Sequence, residues 1–113
     1  MSFSGSCHCE AVAFTVDAEL PTKALSCNCS ICRRNGGLLG FFPVGKFTTS
    51  GAVTSYLFNT HKIDHRFCGV CGIETFAYAK GPDGSDMVAV NLRAVPAVDL
   101  EALEIQHYDG ASK

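Results

Sequence analysis

The chain has 113 residues, 47% hydrophobic and 18% charged, a globular balance that excludes an intrinsically disordered chain. A formal net charge of −2 and a pI near 6.0 argue against a nucleic-acid binder that works by neutralising phosphates. No apolar run is long enough to span a membrane. The length predicts one domain, residues 1–113. The opening Met1–Ser6 lacks the basic and apolar regions of a secretory signal, so the expected compartment is the cytoplasm. Cysteines there bind metal or do chemistry more often than they pair, and the count of seven is odd.

Taken in order, Gly5-Ser6-Cys7-His8-Cys9 predicts a turn or strand end, and residues 10–17 a half-buried strand with Val12, Phe14 and Val16 on one face. Ala24–Ser26 forms a short strand leading into Cys27-Asn28-Cys29-Ser30-Ile31-Cys32. Arg33-Arg34-Asn35-Gly36-Gly37 reads as one helical turn stopped by glycine. Leu38–Val44, broken by Gly40 and Pro43, reads as an edge strand. Phe47–Ser50 leads to a turn at Gly51, and Ala52–Phe58 is a strand. Ile63, His65 and Phe67 run into Cys68-Gly69-Val70-Cys71-Gly72, the C-x-x-C-G form of a zinc knuckle. Glu74–Ala79 and Met87–Leu92 are strands separated by the turn Pro82-Asp83-Gly84. Val98–Leu103 is a single helical turn and Ile105–Tyr108 a last strand. The chain reads as all-β, with short strands and short helical turns.

The cysteines divide into four plus three. Cys7, Cys9, Cys68 and Cys71 make a closed site that crosslinks distant parts of the chain, as structural zinc does. Cys27, Cys29 and Cys32 are too close together to be independent structural residues, and tetrahedral zinc with Zn–S bonds of about 2.3 Å suits them. They leave one position vacant or exchangeable. Two other readings of this trio stay open. His8, His61, His65 or His107 closes it as a second structural site, or the thiols form a redox centre without metal.

Three segments together resemble the glutathione-dependent formaldehyde-activating enzyme family, which includes the centromere protein V-like domains. They are Gly5-Ser6-Cys7-His8-Cys9, Cys27-Asn28-Cys29-Ser30-Ile31-Cys32-Arg33 and Arg66-Phe67-Cys68-Gly69-Val70-Cys71-Gly72, with weaker similarity through Val90-Asn91-Leu92-Arg93. The resemblance implies a zinc-stabilised β-tent of small antiparallel sheets. It implies two Zn²⁺ per chain, a structural one on Cys7, Cys9, Cys68 and Cys71 and a catalytic one on Cys27, Cys29 and Cys32. The implied activity is that of a carbon–sulfur lyase, which condenses glutathione with formaldehyde to S-(hydroxymethyl)glutathione.

Three thiolates donate strongly to zinc, which suits the ion to holding a fourth thiol as thiolate rather than to polarising a carbonyl. Glutathione is anionic, and the middle of the chain carries Arg33, Arg34, Lys46, Lys62 and Arg66 against Asp64 alone. Arg33 and Arg34, with Lys62 or Arg66, are therefore the expected substrate-binding cations. His61 and His65 have the right range for proton transfer, although a surface role is the plainer expectation for both. The expected partners are a glutathione-like thiol and a small aldehyde, with no nucleic acid or membrane. The competing reading is a non-catalytic module, stabilised by zinc, that docks a protein partner.

Overall fold

The structure is a computed structural model that describes residues 1–58 and 61–112. It is all-β with one very short helix and several 3-10 turns. Three strands, β1 (Phe3–Ser6), β2 (Ala13–Val16) and β5 (Phe47–Ser50), form one antiparallel sheet with β2 in the middle. The other seven are β3 (Lys23–Cys27), β4 (Leu39–Pro43), β6 (Val53–Tyr56), β7 (Asp64–Cys68), β8 (Glu74–Lys80), β9 (Asp86–Asn91) and β10 (Glu104–Tyr108). They form a second sheet in the order β10-β3-β4-β9-β8-β7-β6. Neighbours in it are antiparallel except β10 and β3, which run parallel. No helix among the described residues is long and apolar enough to cross a membrane.

The core lies between the two sheets. Val12, Phe14 and Val16 are buried, as their alternation predicts, and share a core with Phe76, Val88 and Val90 from the larger sheet and Leu92 from the 3-10 turn after β9. Aromatic contacts join the layers. Phe47 of β5 meets Phe76 of β8 edge-on at 4.8 Å and lies 5.9 Å from Phe14. Offset and edge-to-face geometries of this kind add to simple area burial.

Three local expectations change. The strand placed over residues 10–17 begins only at Ala13, because Glu10 takes a left-handed conformation (φ 66°) and belongs to the cysteine turn before it. Leu39–Pro43 is an inner strand rather than an edge. It pairs along its length with β9 but touches β3 only at the Leu25–Leu39 register, so Pro43 sits where the β3 flank has no ladder to break. The edges are instead β10 and β6, and β6 is shorter than the predicted 52–58 and mostly exposed.

After Cys32 the chain makes one turn of helix, α1 (Cys32–Asn35). Gly36 ends it at φ 72°, where its N–H reaches the Cys32 carbonyl at 3.0 Å. A left-handed residue satisfies a terminal carbonyl in this way, and glycine adopts that conformation without a Cβ clash.

Candidate metal centres and an adjoining cleft

The chain brings the seven cysteines into two clusters, divided four and three. In each, the candidate ligand atoms lie within 4.8 Å of one another. Cys7, Cys9, Cys68 and Cys71 form the first cluster, and Cys27, Cys29 and Cys32 the second.

The four-cysteine cluster is built from two turns of the same design. The Cys7 N–H bonds the Val12 carbonyl, and the Cys68 N–H bonds the Ile73 carbonyl, each at 3.0 Å. Each loop contains one left-handed residue, Glu10 in the first and Gly72 (φ 82°) in the second. This curls backbone N–H groups toward sulfur. Val12 N–H points at Cys7 Sγ (3.3 Å), and Val70 N–H (3.3 Å) and Cys71 N–H (3.5 Å) point at Cys68 Sγ. Sulfur separations of 3.7 Å (Cys7–Cys9) and 3.6 Å (Cys9–Cys68) match the edge of a tetrahedron with Zn–S bonds of about 2.3 Å. These residues fit a zinc-type ion.

Backbone donors of the same two loops set the thiol acidities. Backbone N–H groups of Cys9 and Ile73 pull Cys71 down to about 6. Those of Cys71 and Val70 lower Cys68. Cys9 is helped by the Ala11 N–H, but the facing sulfur of Cys68, burial, and the sulfurs of Cys7 and Cys71 together push it up to about 11. Several thiols crowded together cannot all ionise without a cation among them.

The trio sits where β3 ends and α1 begins, all three cysteines half-buried. No histidine, cysteine, aspartate or glutamate among the described residues joins it as a fourth ligand. The Cys29 N–H bonds Cys27 Sγ at 3.4 Å. Burial and then the neighbouring Cys29 and Cys27 thiols raise Cys32. Burial also penalises the Cys29 thiolate, but the Cys32 N–H and the flanking thiols outweigh this and lower it.

Beside the trio lies a cleft of about 560 Å³. Its lining includes Cys29, Ser30, Arg33, Arg34, Lys62, Phe58 and Ile63. The predicted cations Arg33, Arg34 and Lys62 therefore share one cavity with a trio cysteine. The Arg34 guanidinium donates to the Ser30 carbonyl at 2.6 Å, which steadies it at the cleft wall. Arg66 does not line the cleft. It is bound to Asp64 at 2.6 Å and lies over the Tyr78 ring at 5.2 Å.

The histidines also separate. His65 is buried rather than on the surface: Nδ1 contacts Glu74 Oε2 at 3.2 Å and the ring stacks against Phe58. His61 is exposed. Sequence reasoning missed Asn28 inside the trio and its partners Asp109 and Gly110, which follow the last strand and lie beside Cys27. The turn-forming pair Asp109-Gly110 was the available signal.

An all-β chain with two thiolate clusters that could hold zinc-type ions defines a class, small cysteine-ligated metal proteins. The family is more particular. The chain belongs to the glutathione-dependent formaldehyde-activating enzyme family, whose model matches residues 2–103. It is also similar to a protein of Rhodobacter sphaeroides known from a crystal structure. The two share 30% identity over 93% of this chain and 99% of that one, with a TM-score of 0.80.

Proposed function

We propose that the chain is a zinc-dependent carbon–sulfur lyase that adds glutathione to formaldehyde, giving S-(hydroxymethyl)glutathione, and also catalyses the reverse cleavage. One observation carries this reading. The cysteine cluster left one ligand short is the one beside a cationic cleft. In this reading Cys7, Cys9, Cys68 and Cys71 hold a structural ion, and Cys27, Cys29 and Cys32 hold the catalytic one. Zinc at the trio supplies a positive centre that keeps a visiting thiol deprotonated at neutral pH.

The chain's own residues do the rest. Arg33, Arg34 and Lys62 meet the carboxylates of glutathione and orient its thiol toward the trio. Phe58 and Ile63 give the cleft apolar wall area that excludes water beside the reacting sulfur. A new S–C bond forms as the carbonyl π pair moves onto oxygen. The thiol gives up one proton and the new hydroxyl takes one, so the sum is glutathione plus formaldehyde. Holding both reactants in one cleft removes most of the entropy cost of their meeting.

The test is to measure the exchange rate between free and hydroxymethylated glutathione by NMR, above the uncatalysed background. The expected result is acceleration by the two-metal protein, lost in Cys29→Ala while the fold and one metal remain. A protein that holds two metals but gives no acceleration overturns the enzymatic reading and leaves a zinc-stabilised docking module in its place.

A further inference from the structure

The family match ends at residue 103, but the chain beyond it returns to the trio. β10 runs parallel to β3 and sets Tyr108 opposite Cys27. Asp109 to Ser112 are thereby delivered beside the Cys27–Cys29 loop. Asn28, between those two cysteines, is tied to this segment three times. Its backbone N–H donates to the Tyr108 carbonyl (3.2 Å). Its side-chain Nδ2 donates to Asp109 Oδ1 (3.0 Å), and its Oδ1 accepts from the Ala111 N–H (2.9 Å). Asp109 is itself held by the Ser112 hydroxyl at 2.6 Å. Gly110 lies so close that a Cβ there would stand 2.5 Å from Cys27 Sγ, and Gly110 and Ala111 form part of the cleft wall.

We propose that Asn28 is a positioning residue for the trio, clamping the Cys27–Cys29 loop to the C-terminal strap so that the strap fixes the sulfur spacing and walls the cleft. The proposal rests on the reading of the trio as a metal site. Asn28 also lines the cleft, so the readout that isolates its positioning role is metal release rather than turnover. Its side-chain bonds are exposed, so their loss costs the whole fold little. For groups that orient metal ligands, the cost instead appears as about 10- to 100-fold in metal affinity.

The full chain, loaded with zinc, is challenged with a chromogenic chelator, and the two metals are followed as separate release phases. In Asn28→Asp two carboxylates face each other and the donor is lost, so the trio metal leaves about tenfold faster or more, while the four-cysteine phase is unchanged. In cobalt-loaded protein the trio's sulfur-to-metal charge-transfer band shifts as well. Asp109→Asn alone keeps an acceptor for Asn28 and releases metal like the wild type. In the Asn28→Asp/Asp109→Asn double variant donor and acceptor exchange places, and release returns to within about threefold of the wild-type rate. Wild-type release by Asn28→Asp, or no recovery in the double variant, overturns the proposal. A wild-type chain that binds one zinc instead of two overturns the trio reading itself, and this role with it.

Discussion

Replacing Cys68 and Cys71 together by serine removes the half of the four-cysteine cluster that reaches across the chain. Cys9 and Cys68 stand 59 positions apart, so an ion joining them closes a long loop. In the chain-entropy account a cross-link of that span withdraws about 4 kcal/mol from the unfolded ensemble. The trio closes only the local loop Cys27–Cys32, worth about 2 kcal/mol on the same scale. Set against a total stability of about 5–15 kcal/mol, the first loss is severe and the second tolerable. With a urea slope of about 2 kcal/mol per M, the unfolding midpoint of the zinc-loaded chain should fall by about 2 M for Cys68→Ser/Cys71→Ser and about 1 M for Cys27→Ser/Cys29→Ser. The assay is equilibrium urea unfolding followed by circular dichroism, with and without excess chelator. With chelator present, the Cys68→Ser/Cys71→Ser variant should differ from the wild type only by the cost of placing two hydroxyls where thiols were. Equal shifts for the two pairs, or a larger shift for the trio, would refute the assignment of the four-cysteine cluster as the structural cross-link.

Two further expectations concern the cleft and pH. Arg33→Ala or Arg34→Ala should raise KM for glutathione about three- to tenfold, the range of an exposed or partly exposed charge contact. Turnover should change little, and steady-state kinetics with KM unmoved in both variants would defeat the role of the cationic rim. In the metal-free chain, Cys71 is depressed to about 6 from an ordinary value of 9.0. Between those values the unfolded state carries the extra proton, so stability rises with pH across this window. Cys9, raised to about 11, has the opposite sign and makes stability fall between pH 9 and 11. Urea midpoints of metal-free protein should therefore peak near pH 9. A flat profile, or one that falls from pH 6 to 9, contradicts the backbone donors aimed at Cys71.

The order of the elements and the grouping of the cysteines into three local runs follow from local spacing. A C-x-C or C-x-x-C pair brings its sulfurs together whatever lies around it, and Val12, Phe14 and Val16 alternate because a strand alternates its side chains. Gly36 and Gly72 mark their turns for the same kind of reason, since the left-handed backbone is a property of one residue. Glu10 escaped because glycine is the usual occupant of that conformation and glutamate gives no such signal. The inner position of Leu39–Pro43 escaped because strand order depends on which distant partner arrives.

Long-range placement was decided only in three dimensions. His65 is buried because β7 lies between β6 and β8, which sets its ring against Phe58 and its Nδ1 against Glu74. Arg66 leaves the cleft because Asp64, two residues away on the same strand, binds it first. Asn28 meets Asp109 only because β10 runs alongside β3. The sequence by itself determined the three local cysteine groups, because the members of each lie within about a turn of chain, while the joining of Cys7 and Cys9 to Cys68 and Cys71 was decided by the fold. Which cluster faces a cleft, and which strap holds it, was settled by the tertiary structure, because contacts between residues far apart in sequence depend on every strand pairing between them.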